Sequence, residues 1–224
     1  MSLAPVIDPK GMSNVRVHIS SSLDGYVAGP NQSQEEPLGE GGEGLHDWLV
    51  ELRAWREPQG MEGGAVNAST AVVAETFENV GAEIMGRGKF GPANRGPWGD
   101  DPWQGWWGDD PPFHKPVYVV THYEREPLTL SDTTYTFVTD GIESALAQAR
   151  EAAGDKDVFI GGGADLINQY LAAGLVDEIE LHVVPILLGG GARLFDGVGQ
   201  DVKLELLRVV EAPGVTHLKY RVVH

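Results

Sequence analysis

The pattern most able to bind a ligand is a run of three glycines, Gly161–Gly163, in a chain of 224 residues. The strand pattern Asp157–Ile160 precedes the run, and the helix pattern Ala164–Ala173 follows it. Glycines at such a turn let a ligand approach the backbone, and the free N–H groups of the helix N-terminus favour a phosphate. The spacing is not the G-x-G-x-x-G of dinucleotide-binding folds. The run therefore predicts a pyrophosphate site, and the alternative is a tight turn that needs positive φ angles.

A second turn combines glycines with positive charge. Gly86, Arg87 and Lys89 follow the short apolar segment Ala82–Met85. A guanidinium binds phosphate in a bidentate geometry, so this turn suits a second phosphate contact. The alternative is a basic turn that is merely solvated.

Charge and composition exclude several classes of function. The chain has 16 Lys and Arg against 33 Asp and Glu, a net charge of −17, which disfavours nucleic acid and anionic membranes as partners. It has no cysteine, hence no thiol chemistry, and no apolar run of membrane-spanning length, so we expect a cytoplasmic protein. His18, His114, His182 and His217 lack H-x-x-x-H or H-x-E spacing and no G-x-S-x-G occurs, so we expect neither a metal site nor a serine triad.

Strands alternate with helices and then give way to two closing strands. This order predicts one α/β domain over residues 14–224, after an N-terminal extension at 1–13, with loop insertions at 29–44 and 91–114. The second insertion holds Trp98, Trp103, Trp106 and Trp107, which favours a packed lid or an interface. The predicted strands are Val15–Ser20, Ala82–Met85, Val117–Thr121, Tyr135–Val138, Asp157–Ile160, Asp177–Val184, Lys203–Glu211 and Val215–Val222. The predicted helices are Leu45–Arg56, Ala68–Asn79, Ile142–Ala153 and Ala164–Ala173.

Six motifs in order resemble a known family. They are Ser20–Gly29, Ile84–Arg87, Pro116–Thr121, the turn Ile160–Gly163 with Leu166, Gly174–Glu178 and Pro185–Gly191. They fall in the order seen in the dihydrofolate reductase-like superfamily, and they resemble in particular the C-terminal reductase domain of bifunctional riboflavin-biosynthesis deaminase-reductases. The resemblance covers almost all of residues 14–222. The resemblance implies a doubly wound mixed sheet with helices on both faces, antiparallel C-terminal strands, and an NADPH-dependent, usually homodimeric reductase.

The resemblance also implies where NADPH would bind. Arg87 and Lys89 would contact cofactor phosphates, and Arg125 would add charge near the adenosine 2′-phosphate. It further implies a cis peptide between Gly161 and Gly162. The implied cofactor residues are Val27, Ala28, Gly86, Arg87, Lys89, Thr121, His122, Ile160, Gly161, Gly162, Gly163, Ala164 and Leu166.

The substrate pocket follows from the same resemblance. Asp24 is its first candidate carboxylate, as a binder or proton relay, and the alternative is a solvated Asp-Gly turn. Asp47 is the second candidate, although a helical Asp or Glu on this face is as readily solvated. The implied substrate residues are Tyr26, Trp48, Glu51 and Arg193, of which Arg193 would bind a substrate phosphate or cap a loop.

Three functions remain open on the sequence. The first is hydride transfer from NADPH to a C=N or C=O carbon of a small heterocyclic or sugar-like substrate, similar to 5-amino-6-(5-phosphoribosylamino)uracil reductase. The others are a non-catalytic nucleotide-binding dimeric scaffold and a dihydrofolate reductase. We expect no deamination, because the P-C-x-x-C zinc motif is absent. The apolar stretch Val183–Leu188 suggests a dimer surface, the alternative being a central strand.

Overall fold

A computed structural model describes residues 13–91, 96–100 and 102–223. The chain forms eleven strands and six α-helices within these ranges. The strands are β1 Val15–Ser22, β2 Tyr26–Ala28, β3 Val80–Gly86, β4 Pro116–Val120, β5 Leu128–Leu130, β6 Thr133–Val138, β7 Asp157–Gly162, β8 Glu178–Val184, β9 Ala192–Arg193, β10 Lys203–Ala212 and β11 Val215–Val223. The helices are α1 Asp47–Val50, α2 Arg53–Arg56, α3 Ala68–Phe77, α4 Arg87–Phe90, α5 Ile142–Ala153 and α6 Ala164–Ala172. None of the described helices has the length and hydrophobicity to cross a membrane.

Nine strands form one mixed sheet in the order β10-β11-β8-β1-β7-β3-β4-β6-β5. Strand β1 is parallel to both β7 and β8, and β3 is parallel to both β7 and β4. The strands at the C-terminus, β10 and β11, are antiparallel to their neighbours. This confirms the predicted doubly wound mixed sheet with antiparallel C-terminal strands.

Successive side chains of a strand point to opposite faces of the sheet, so each face presents its own set of side chains. Helices and loops cover both faces. Ile84 and Ile160 lie in the core cluster that α5 and α6 cover, and we call this side the α5–α6 face. The other side, the α3–α4 face, carries two separate apolar clusters. One surrounds Phe90 of α4, and the other includes Trp48 of α1 and Val73 of α3.

The prediction of one continuous helix over Leu45–Arg56 is wrong, because this segment forms two short helices, α1 and α2. A 3₁₀ turn, Gly42–His46, leads into α1, and the chain then leaves the helix at Leu52, whose φ of −75° and ψ of 138° are extended. Leu52 forms an isolated bridge with Ala65, and the amide N–H of Arg53 donates to the carbonyl of Ala65. The periodicity of the apolar residues was correct, since Leu45, Trp48 and Leu52 are all buried in one cluster.

Candidate active site

The two glycine turns meet at the carboxyl edge of the parallel strands. Met85 is the register partner of Gly162, and Gly86 is the partner of Val120. A Cβ built on Gly86 would lie 3.7 Å from the carbonyl oxygen of Gly162 and 3.8 Å from the nitrogen of Gly163. The fold therefore brings together the two motifs that the sequence proposed as phosphate contacts, although they are 76 residues apart (162 − 86 = 76).

The glycine turn has a backbone that other residues rarely adopt. Gly162 has φ +103°, in the region that favours glycine. The cis peptide joins Gly162 to Gly163, so the expectation of a cis bond between Gly161 and Gly162 is wrong by one residue. The side chains of Ile160, Ala164 and Leu166 are buried in the core, and the Cβ of Leu166 would lie 3.6 Å from a Cβ built on Gly86.

Arg87 and Lys89 turn away from each other. The guanidinium of Arg87 lies 3.8 Å from the centroid of the Trp98 ring, and its Nη1 donates to the carbonyl of Gly91 at 3.0 Å. Lys89 Nζ instead donates to Glu83 Oε1 at 2.9 Å. The sequence grouped the two cations as one phosphate site, and the structure gives them different neighbours.

The segment after β4 lies beside Arg87. Thr121 is buried, and its Oγ1 accepts a hydrogen bond from the amide of Tyr123, whereas His122 is exposed. Arg125 lies 4.7 Å from the centroid of the Trp98 ring and donates to the carbonyl of Trp103 at 2.6 Å. Two arginines therefore contact one indole next to the glycine turns.

The tryptophan-rich segment is packed against this edge. The indole Nε1 atoms of Trp98, Trp103 and Trp106 donate to the backbone carbonyls of Tyr123, Phe90 and Lys89, respectively, at 2.9 to 3.0 Å. An open cleft of about 550 Å³ lies between the segment and Arg87. Its lining residues are Gln34, Arg87, Pro97, Trp98, Pro102, Trp103, Gln104 and Gly105.

Asp24 forms a connection between two loops. Its carboxylate accepts hydrogen bonds from Ser22 Oγ at 2.6 Å and from the amides of Leu188 and Gly189 at 3.1 and 2.7 Å. The Ser22 hydroxyl and these amides lower the pKa of Asp24 to about 2. A carboxyl that stays ionised near neutral pH is suited to holding the 188–189 loop rather than to donating a proton.

Tyr26, Val27, Ala28 and Arg193 come together in the small β2–β9 sheet. Tyr26 pairs with Arg193, and the guanidinium lies 5.8 Å from the centroid of the Tyr26 ring. Val27 and Ala28 are buried. The β2–β9 pairing therefore joins the segment after β1 to the segment after β8, so that both could line the predicted substrate pocket.

Of the three residues predicted in the α1 region, Trp48 alone is buried, while Asp47 and Glu51 are exposed. Trp48 Nε1 donates to Ser20 Oγ at 3.3 Å. Its ring lies 5.0 Å from the rings of both His182 and His217, centroid to centroid. Trp48 is thus part of the buried cluster on the α3–α4 face.

The sequence reasoning missed a group of buried histidines. His182 Nδ1 lies 2.8 Å from His217 Nδ1, and His217 Nε2 lies 2.9 Å from Ser69 Oγ. Burial lowers the pKa of His217 to about 4 and, with the charges of Arg16, Lys219 and Arg208, lowers that of His18 to about 3. These imidazoles are neutral at pH 7. The strand alternation gave no signal of their burial, because His18, His182 and His217 share strand parity with Arg16, Glu180 and Lys219, respectively.

Comparison with known proteins places this geometry in context. The model of the family described as RibD C-terminal domain matches residues 13–218. The uncharacterized protein YwjB of Bacillus subtilis (strain 168) is 32% identical over 92 residues, which are 41% of this chain and 51% of YwjB. The chain therefore spans about half the length of that relative.

Two solved structures share the fold. RibD of Acinetobacter baumannii superposes with a TM-score of 0.56 at 20% identity, covering 96% of this chain and 59% of that one. A dihydrofolate reductase from Enterococcus faecalis, complexed with NADP(H), gives a TM-score of 0.50 at 12% identity and covers 95% and 97% of the two chains. The fold is therefore of the dihydrofolate reductase type.

Proposed function

The chain belongs to the RibD C-terminal domain family, and on this premise we propose that it is an NADPH-dependent reductase. It would transfer a hydride to a C=N or C=O carbon of a small heterocyclic or sugar-like substrate, in the manner of a 5-amino-6-(5-phosphoribosylamino)uracil reductase. The observation that carries the proposal is the contact between Gly86 and the Gly162–Gly163 peptide at the start of α6.

The residues at this edge fit a dinucleotide. Gly163 begins α6 without any side-chain cap, and a Cβ built on it would meet nothing within 4 Å. No side chain covers the backbone at Gly163, so the first amides of α6 and the helix dipole would favour a pyrophosphate at this helix start. Arg87 and Arg125 supply positive charge beside the turn in a chain of net charge −17.

When bound, NADPH supplies the hydride. The residues of this chain bind and orient it: the glycine turns hold the phosphates, and the β2–β9 sheet forms the wall of the substrate pocket. The tryptophan-rich segment contacts α4 and the segment after β4, where it would cover one end of the bound cofactor.

The test is NADPH oxidation in the presence of 5-amino-6-(5-phosphoribosylamino)uracil. The wild type is expected to oxidise NADPH only when this compound is added, and Gly162→Val is expected to lose cofactor binding because φ +103° is unfavourable for valine. Gly190→Ala is a matched control, since a Cβ there meets no atom within 4 Å. NADPH binding by Gly162→Val equal to that of the wild type would contradict the site.

A non-catalytic nucleotide-binding scaffold is the second candidate. It is favoured by one observation: Asp24 is engaged in holding the 188–189 loop, and Asp47 and Glu51 are exposed, so none of these carboxylates is placed as a proton donor. The two candidates differ in turnover. NADPH binding without oxidation across a panel of pyrimidines and pterins would favour the scaffold.

We propose a homodimer whose interface is strand β10, and not the stretch Val183–Leu188 that the sequence suggested. Strand β8 lies inside the sheet between β11 and β1, so it is a central strand. Strand β10 lies at the end of the sheet order and exposes Leu206 and Val209 at 53% and 54%. An apolar edge strand is typical of strand pairing with a second copy. We expect Leu206→Lys to convert a dimer into a monomer by light scattering, and a wild-type monomer would refute the proposal.

A further inference from the structure

Lys89 lies on the opposite side of the sheet from the glycine junction. Gly86 faces Leu166 and the Gly162–Gly163 peptide, on the α5–α6 face. Glu83 has the same strand parity as Met85, whose side chain lies in the cluster of the α3–α4 face. The Lys89–Glu83 ion pair, with N···O of 2.9 Å, therefore belongs to the α3–α4 face.

The ion pair is fixed against the strand that leads into the glycine turn. A Cβ built on Gly161 would collide with Glu83 Oε1 and with Lys89 Nζ. The Glu83 side chain is 6% exposed, whereas that of Lys89 is 29% exposed. The carboxylate is thus the buried partner of the pair, and the Lys89 side chain is its partly exposed partner.

The ion pair lies where the cover of the α3–α4 face changes from one apolar cluster to the other. Phe90 and Met85 belong to the cluster on one side, and Leu45 and Trp48 belong to the cluster on the other. His46 lies next to Trp48 in sequence, and its buried Nδ1 has no hydrogen-bond partner among the described residues. Burial lowers the pKa of His46, and the Lys89 charge lowers it further, against a smaller opposing effect of Asp47.

The Lys89 ammonium therefore lies against the backbone of Gly161 in the predicted cofactor turn, and its charge acts on the imidazole of His46. An ammonium in such a place binds an atom on which negative charge develops. Hydride addition to a C=O or C=N carbon creates this charge on the oxygen or nitrogen. The pyrophosphate, by contrast, would lie at the junction of Gly86 with Gly163, on the other face.

We propose that Lys89 contacts the substrate heteroatom rather than a cofactor phosphate, and that Glu83 is its positioning residue. The proposal rests on the proposed reductase function. The hydride, with its electron pair, forms the new C–H bond as the cofactor is oxidised. The π electrons of the C=O or C=N bond move to the heteroatom, which takes a proton from the Lys89 ammonium. Solvent then returns a proton to Lys89.

The test compares Lys89→Met, Lys89→Arg and Glu83→Gln with Lys156→Met, which removes an exposed lysine elsewhere. Tryptophan fluorescence gives the Kd for NADPH, and single-turnover oxidation with 5-amino-6-(5-phosphoribosylamino)uracil gives the rate of hydride transfer. For Lys89→Met we expect a Kd within about 3-fold of the wild type and a rate lower by roughly 10²–10³-fold. Lys89→Arg is expected to recover part of the rate, and Glu83→Gln to change its pH profile.

Two results would overturn the role of Lys89 alone. One is a Kd for NADPH that rises 10-fold or more in Lys89→Met, which would make Lys89 a phosphate ligand. The other is a hydride-transfer rate in Lys89→Met equal to that of the wild type. A wild type that binds NADPH but never oxidises it would overturn the reaction and the role together, so the two failures are distinguishable.

Discussion

The buried histidines predict a fold that loses stability in mild acid. The pKa of His217 is 6.5 in an exposed chain and about 4 in the fold, where burial and Arg208 disfavour the imidazolium. A depressed histidine pKa stabilises the fold above pH 6.5, and this stability is lost as pH falls, because the unfolded chain then binds more protons. Between pH 7 and 5.5 the loss from His217 is about 1.2 kcal/mol.

His18 adds a second contribution of the same sign. Its pKa falls to about 3 in the fold, chiefly because burial disfavours the imidazolium, and the charges of Arg16, Lys219 and Arg208 lower it further. Glu180, whose Oε2 lies 3.5 Å from His18 Nδ1, acts in the opposite sense, since burial raises its pKa. From His217, His18 and Glu180 together we therefore expect a loss of roughly 1–2.5 kcal/mol between pH 7 and 5.5. His182 and His46, whose pKa values are also lowered by burial, add to this loss in the same sense.

Urea unfolding at pH 7.0 and pH 5.5 measures this change in the free energy of unfolding. The same experiment on His217→Asn is expected to give a smaller pH dependence by about 1 kcal/mol, whereas His122→Gln changes an exposed histidine and serves as the control. Equal unfolding free energies at the two pH values, or an unchanged pH dependence in His217→Asn, would refute the reasoning.

Further predictions concern loops and glycines. Asp24→Asn weakens an acceptor of two amides in the 188–189 loop, so we expect faster proteolysis at residues 185–191. Asp47→Asn changes an exposed carboxylate and serves as the control; equal cleavage rates of the two variants would contradict this role of Asp24. Gly161→Ala would collide with the Lys89–Glu83 pair and should cost roughly 1–3 kcal/mol in urea unfolding, whereas Gly190→Ala should cost little; equal costs would refute this packing. Trp98→Leu removes the ring between two arginines, and thermal unfolding should occur at a lower temperature; an unchanged midpoint would show that the stack adds nothing.

Local sequence patterns predicted most of the elements but not their breaks. The helix Leu45–Arg56 was expected from apolar spacing, which correctly identified the buried face. The extended backbone at Leu52 depends on a bridge to Ala65, a residue outside the pattern. A tertiary hydrogen bond of this kind leaves no periodic trace, so the continuity of the helix could not be predicted.

The site was predicted in its backbone and less well in its side chains. The glycine turns at Gly86 and Gly162 lie at strand ends, and the carboxyl ends of parallel strands share one edge, so their meeting follows from the fold. The orientation of the Lys89 side chain does not follow from the fold, because it depends on an ion pair with Glu83. The sequence reasoning passed over Glu83, an acidic residue inside an apolar strand. A carboxylate in a buried strand was the available signal, since such groups are nearly always paired.

The central claim, a dinucleotide site at the glycine junction, is tested most directly by calorimetric titration of the protein with NADPH and with NADH. The account predicts that NADPH binds with an affinity at least about 10-fold higher, because Arg87 and Arg125 supply charge for the 2′-phosphate. Absence of binding by both nucleotides would contradict the account and leave the glycine turns with a purely structural role.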